Sequence, residues 1–204
     1  MANEFDVGAF TSHIGTSGLA SPNKFKVHFD FPLSLFGVTS GNTFDLMCEN
    51  VDLAGRNVNS AINIEYGIRR EVAYNAPAYD QLNVTFLCSQ DMREKETLER
   101  WNNYIVKVNE GFDVEYYDNY TGAITVDVLD KQTLKPTYRV TYNEAYPKVI
   151  NSVPFNHSST NQTVKVTAMF TYAYYTTPTS RDTRNADPIT GSGGIEDQIS
   201  RGTI

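Results

Sequence analysis

Hydrophobic and polar residues alternate along most of this chain, the period-two signature of strands with one buried and one wet face. After Pro22, Phe25, Val27, Phe29 and Phe31 alternate with Lys24, Lys26, His28 and Asp30, predicting a first strand over residues 24–31. Gly37, Gly41 and Asn42 mark a loop, and Phe44, Leu46 and Cys48 then predict a second strand over 43–51. Leu82, Val84, Phe86 and Cys88, set against Asn83 and Thr85, predict a third over 80–89. Ile124, Val126 and Val128 predict another over 123–129, and a further one lies around 138–142. The clearest alternation runs over 164–175, with Val164, Val166, Ala168, Phe170, Tyr172 and Tyr174 on one side. A strand of that length exceeds the usual handful of residues in a globular sheet. It is therefore expected to extend beyond one subunit's own core.

One segment changes period. Leu98, Trp101, Ile105 and Val108 fall at helical spacing and form a single apolar stripe, the candidate core face of a packed helix. Asp91, with Glu94 three residues on, predicts a capping box at its start. Acids near the start, Lys107 near the end and a stop at Gly111 suit the helix dipole and a glycine terminus. Over 52–78 the pattern weakens, and Ile62, Ile64 and Tyr66 leave only an extended loop or a two-stranded arm, bending near Gly67 and closed by Pro77. Residues 1–20 carry only the isolated Phe5, Val7 and Phe10 and predict an arm without a core of its own. The chain thus divides into an arm over 1–20, a β domain over 21–176 and a polar tail over 177–204 that a neighbour can order.

Composition supports a folded, mainly β protein. Of 204 residues, 40% are hydrophobic and 12% aromatic, with 13 Tyr and 11 Phe, ample for one real core. A net charge of −7 excludes a basic coat over the whole molecule and would repel a polyanion. No apolar run is long enough to span a bilayer, and the N-terminus lacks the basic and apolar regions of a secretory signal. No membrane anchor is expected, and the protein is expected to remain in the cytoplasm of the cell that makes it. In that setting Cys48 and Cys88 are expected to be buried thiols, and the Asn-x-Ser/Thr matches at Asn83, Asn119, Asn156 and Asn161 to be chance.

Chemistry is sparse. His13, His28 and His157 are scattered among an arm, a wet strand face and a loop, where surface histidines are expected. No HExxH or CxxC spacing is present, so neither a metal nor a cofactor is expected. Gly191, Gly193 and Gly194 sit in a polar tail with no strand before or helix after, unlike a phosphate loop. Asp113, Glu115 and Asp118, then Asp127 and Asp130, are abundant carboxylates, and a glycosidase-like pair depends on spatial separation. Solvated strand faces and turns are the simpler reading. Tyr116, Tyr117 and Tyr120 beside them fit a sugar platform or, more ordinarily, the cover of a sheet or interface. No catalytic residue stands out, and an enzyme is not expected.

Several short motifs occur in a shared order. Ala20-Ser21-Pro22-Asn23-Lys24-Phe25-Lys26-Val27 opens the first strand, and Cys48-Glu49-Asn50-Val51-Asp52-Leu53-Ala54-Gly55 ends the second. Val84-Thr85-Phe86, then Met92-Arg93 and Trp101 in a charged helix, and the closing strand 164–175 complete the series. This series resembles the tail tube proteins of contractile-tailed, T4-like bacteriophages over about residues 21–176. The resemblance implies a β-sandwich or rolled antiparallel sheet with one packed helix. Copies would assemble as hexameric rings whose inner strands join into a β-barrel, stacked into a hollow conduit for genome delivery. It also implies a place in the virion, assembly in the host cytoplasm, and tail sheath, baseplate and tube-terminator proteins as partners, with DNA passing non-specifically. Asp113, Glu115, Asp118, Asp127 and Asp130 are then candidates to face the lumen, where negative charge would not hold a duplex. A tube initiator, an end ring or a type VI secretion ring shares this architecture, and a carbohydrate-binding tail domain is the alternative of another class.

Overall fold

In the computed structural model, residues 7–32, 35, 41–63, 67–74, 78–108, 111–158 and 162–177 are described. Phe5, Gly37, Ile64, Tyr66, Pro77, Asn161 and the tail beyond 177 lie outside them. The fold is mainly β, as the alternation implies. In chain order the elements are α1 (Val7–Ser17), β1 (Phe25–Asp30), α2 (Gly41–Leu46), β2 (Cys48–Asp52), β3 (Arg56–Asn57), β4 (Ser60–Asn63), β5 (Arg70–Ala73) and β6 (Ala78–Tyr79). There follow β7 (Leu82–Leu87), α3 (Arg93–Ile105), β8 (Val106–Lys107), β9 (Asp113–Val114), α4 (Tyr117–Tyr120), β10 (Gly122–Leu129), β11 (Pro136–Ile150), β12 (Lys165–Thr171) and β13 (Tyr174–Thr176).

One antiparallel sheet runs β1-β10-β11-β12-β7-β2, with β13 added beside β11. It works as two layers that share one strand. The first half of β11 pairs with β10 and β13, and its last residues pair with β12. The change of partner falls at a bulge, where Asn143 and Glu144 together oppose Ala123 between the pairs Gly122↔Ala145 and Ile124↔Tyr142. Glu144 has φ 56°, the left-handed conformation typical of such a kink. Strands that pass from one sheet to the next turn their corner this way.

Between the layers lies a continuous aromatic core. Phe29 packs against Phe44, Phe86 and Phe170, with ring centroids 5.1, 5.5 and 5.8 Å away. Phe31 links this group to Trp101 at 5.3 Å. A second group gathers Tyr79, Tyr142, Tyr172 and Tyr175, and the Tyr142 hydroxyl accepts the Ala54 N–H at 3.1 Å. Trp101 is fully buried, and its indole N–H donates to the Tyr120 carbonyl at 2.8 Å, so α3 is tied to the start of β10. Gly122 makes that junction possible. A Cβ there would lie 2.2 Å from the Asp30 carbonyl oxygen and 3.4 Å from the Trp101 ring.

Several expectations are corrected. Residues 43–51 do not form one strand. Phe44 is buried in α2 whereas Leu46 is 82% exposed, so these two never share a face, and β2 begins only at Cys48. The strand expected over 164–175 is β12 and β13, separated at Tyr172 and Ala173, and the long strand is the 15-residue β11. The sequence pattern around 138–142 captured only its first half, because the bulge and Pro147 break the period. The helical stripe holds for Leu98 and Trp101, both fully buried, and for Ile105, packed against the core. Val108 falls outside it. The helix ends at Ile105, where Val106 turns extended, and Val108 is 51% exposed. Gly111, at φ 88°, turns the β8–β9 hairpin instead of stopping the helix. The cap differs too. The N-cap is Met92, without a side-chain cap, and the buried Glu94 carboxylate accepts from the Ser89 N–H (2.8 Å) and hydroxyl (3.0 Å), so the box expected with Asp91 does not form. Cys48 and Cys88 are free and half-buried, and burial pushes the Cys48 thiol up to about 12.

Two substitutions test this packing by denaturant unfolding. Trp101→Ala removes a fully buried ring and is expected to cost about 3–5 kcal/mol. Gly122→Ala is expected to cost about 1–3 kcal/mol, because the Asp30 backbone must move to admit one methyl group. An unchanged midpoint for Gly122→Ala would show that β1 and β10 part there without strain.

Candidate functional site

The acids singled out in the sequence do not form one patch. Asp118 lies in α4 before β10 and Asp130 just after it, at opposite ends of an eight-residue strand about 23 Å long at ~3.3 Å per residue. Asp127 projects from the outward face of the first layer, where Arg139 on β11 clasps it through Nε (2.6 Å) and Nη2 (2.8 Å). Its charge is therefore balanced locally. Asp130 accepts the Thr133 hydroxyl (2.6 Å) and N–H (2.9 Å), which closes the β10–β11 turn and holds the carboxyl below its ordinary range. Glu115 accepts from Asn119 (2.9 Å) and faces Lys107 (3.0 Å), and these partners push it down to about 2. Asp113 and Asp118 are exposed on β9 and α4.

The tyrosines beside them divide. Tyr120 is buried and packs edge-on against Tyr117 (5.5 Å) and Tyr146 (5.3 Å), while Tyr116 is 82% exposed. Burial and a hydrogen bond with Glu144 push the Tyr117 hydroxyl up to about 12. A flat stacking platform needs parallel exposed rings, and this arrangement does not supply one. Among the described residues, no group of three His, Cys, Asp or Glu side chains is placed to hold a metal ion. No described helix is long and apolar enough to cross a membrane.

What the surface does offer is unpaired edge and exposed apolar hairpin. The sheet's outer strands are β1 and β2, and β13 adds a third edge. The described residues between 52 and 79 form a two-stranded arm, with β3 paired to β6, β4 paired to β5, and Gly67 at φ 83° between β4 and β5. Along it Val58, Ile62, Ile68, Val72 and Tyr74 are exposed, and the β8–β9 hairpin likewise exposes Phe112 and Val114. Helix α1 presents Val7 and Phe10. Apolar side chains carried on projecting hairpins mark surfaces that a partner covers. Free strand edges are managed in monomers by charge or by cover. The sequence pattern pointed to the arm but gave no signal for the β8–β9 hairpin, whose strands are two residues each.

One polar cluster sits at the β1 edge. His28 Nδ1 lies 2.7 Å from Asp45 Oδ2 and its Nε2 lies 3.1 Å from Asp30 Oδ1. Asp45 Oδ1 accepts the Phe29 N–H at 3.0 Å. The Asp45 hydrogen bond raises the His28 pKa, partial burial opposes this, and the charges of Asp45 and Asp30 add to the rise. A group whose folded pKa is raised gives stability that is complete below its unfolded value and is lost as pH climbs through the folded one. The wild type is therefore expected to lose thermal stability, relative to His28→Gln, as pH rises above about 6.5, the ordinary imidazole value. Parallel melting curves for the two proteins over that window would show that the cluster contributes nothing.

Comparison with known proteins places this arrangement. No curated protein matches the sequence. Among solved structures, a chain of the anti-feeding prophage (AFP) baseplate is similar with a TM-score of 0.59 at 13% identity, covering 80% of this chain and 97% of that one. A chain of the PVC extracellular contractile injection system, in its extended sheath-tube complex, gives 0.57 at 14% identity, covering 83% and 97%. The SPP1 tail tube gives 0.50 at 8% identity, covering 90% and 95%. At such identities the likeness is one of fold. The family model described as phage tail tube protein matches residues 20–178, most of the chain and every strand of its sheet. The chain belongs to the phage tail tube protein family.

Proposed function

We propose that copies of this chain close into hexameric rings that stack as the tube of a contractile tail, a hollow conduit for DNA on its way into the host. The observation that carries this reading is the family match across the whole β domain. The open-edged sheet and the exposed arm support it, because ring closure removes edges that would otherwise aggregate. Six-fold assembly draws support from the six-fold symmetrised AFP baseplate, which contains a chain of similar fold. The protein acts as a non-enzymatic part of the virion, assembled in the host cytoplasm, with sheath, baseplate and tube-terminator proteins as neighbours. Likeness to a chain of that baseplate favours, as a second reading, a ring at the baseplate end of the tube.

Three segments share the work in this proposal. The β domain over 21–176 forms the ring wall, while residues 1–20, the arm over 52–78 and the tail over 177–204 reach neighbouring subunits or rings. The exposed apolar side chains of α1 and the arm are what such contacts would bury. Of the candidate lumen acids, Asp113 and Asp118 stand exposed, whereas Asp127, Glu115 and Asp130 are each engaged within the subunit. Repulsion of a passing duplex is then modest at each ring, and net attraction, which would recur ring after ring, is avoided.

Negative-stain electron microscopy of the purified chain over a concentration series tests the assembly. Hollow tubes or rings of uniform width with six subunits are expected. A monodisperse monomer at every concentration, with and without a tail initiator complex, would overturn the reading. Deleting residues 1–20 is expected to shorten or destabilise the tubes, and tubes of unchanged length and melting temperature would remove that segment from the contacts.

A further inference from the structure

Among the described residues, one side chain caps the β1 edge. Leu129 N–H donates to the Lys24 carbonyl at 2.9 Å, which makes these two a hydrogen-bonded pair of the β1–β10 ladder. Such pairs alternate in an antiparallel ladder. In the register Lys26↔Asp127, His28↔Thr125 and Asp30↔Ala123, the backbone groups of Lys26, His28 and Asp30 therefore face β10. Those of Phe25, Val27 and Phe29 face the outer edge. The Phe29 N–H meeting Asp45 Oδ1 at 3.0 Å agrees with that assignment. Among the described residues, Asp45 is the side chain hydrogen-bonded to this edge. Phe25 and Val27 open instead on a groove of about 990 Å³, lined also by Leu46 and Cys48.

We propose that Asp45 is a removable cap on β1, and that in the assembled protein strand β13 of a second copy takes its place. The inference rests on the tube reading and adds to it the edge used, its partner strand and the contact that must first break. Direction favours β13. Strand β1 is antiparallel to β10, β10 to β11, and β13 to β11. If the first layer continues from copy to copy, β1 and the next copy's β13 meet antiparallel. Length favours it too, since the three residues Tyr174–Thr176 match the short open edge from Phe25 to Phe29. The faces also agree. His28, Thr125, Thr141 and Thr176 form one row across the outward side of this layer, and Phe29, Ile124, Tyr142 and Tyr175 form a row on its core side. Joining β13 to β1 keeps polar rows on one side and apolar rows on the other, which is what fixes register in a sheet with one buried face.

The cap suits a monomer that must stay soluble before it assembles. Asp45 is 8% exposed in its side chain and sits at the end of a six-residue helix whose next residue, Leu46, lies on the surface. Removing it exchanges two charge-assisted hydrogen bonds, from the Phe29 N–H and with His28, for a ladder of backbone ones.

Amide hydrogen exchange in wild-type monomer and tubes, read residue by residue by NMR, gives the primary test. The Phe25 and Val27 amides are expected to exchange freely in the monomer and at least about tenfold more slowly in tubes. Asp45→Ala is expected to free the Phe29 amide in the monomer, to keep all three protected in tubes, and to assemble several-fold faster. Asp45→Asn retains an acceptor for Phe29 and should fall between. Tubes in which Phe25 and Val27 exchange as in the monomer would overturn the proposal, as would a folded Asp45→Ala protein that assembles no faster. Should Asp45→Ala fail to fold, exchange in the wild type decides alone. A wild type that never assembles, seen by microscopy before any exchange measurement, would sink the tube reading and this inference with it.

Discussion

Glu144 sits in the left-handed region in the middle of a 15-residue strand, and the two layers face one another because it does. The bulge it forms with Asn143 lets β11 leave β10 and take up β12 without a break in the chain. Every other contact of the core presupposes that corner. Phe29 from the first layer meets Phe86 and Phe170 from the second only when the layers stand face to face. Helix α3 and helix α2 then close the remaining openings, one with Trp101 and the other with Phe44. A sheet folded this way buries its apolar rows thoroughly but leaves its outer strands without partners.

Much of this architecture is legible in the sequence wherever one face of an element packs and the other does not. The alternations at Phe25 to Phe29, at Leu82 to Phe86 and at Ile124 to Val128 are strands in the structure, with the predicted faces buried except at the partly buried Phe25 and Val128. Failures occur where tertiary demand overrides a local period. Phe44 continues an apparent alternation, yet it is needed as a plug over the core, so its segment coils into α2. At β11 the bulge and Pro147 interrupt the period of a strand that is nonetheless the longest described. Tyr172 and Ala173 interrupt the opposite case, where an unbroken pattern spans two strands. The arm over 52–78 was readable from its weak pattern and central glycine, whereas the two-residue strands of the β8–β9 hairpin are too short for any period.

The surface chemistry was less readable, for a different reason. Asp127 and Asp130 look alike in sequence, but one is clasped across the sheet by Arg139 and the other ties its own turn. Charge patterns along a chain do not say which partners lie across a strand. The role of Asp45 depends on a helix folding back sixteen residues onto β1, and no spacing rule announces such a contact. The weak alternation of the arm does not say which of its aliphatics are buried, and the structure leaves Val58, Ile62, Ile68 and Val72 exposed.

A strand common to both layers also has a mechanical meaning. In a sandwich held together by side chains alone, the two sheets can slip past each other under load. Here slippage would have to stretch or bend the covalent backbone at the Asn143–Glu144 corner. The subunit therefore behaves as a stiff block toward shear between its layers. Any curvature that a tube of such subunits takes up falls on the seams between blocks, where hydrogen bonds and hairpin contacts yield before the blocks do.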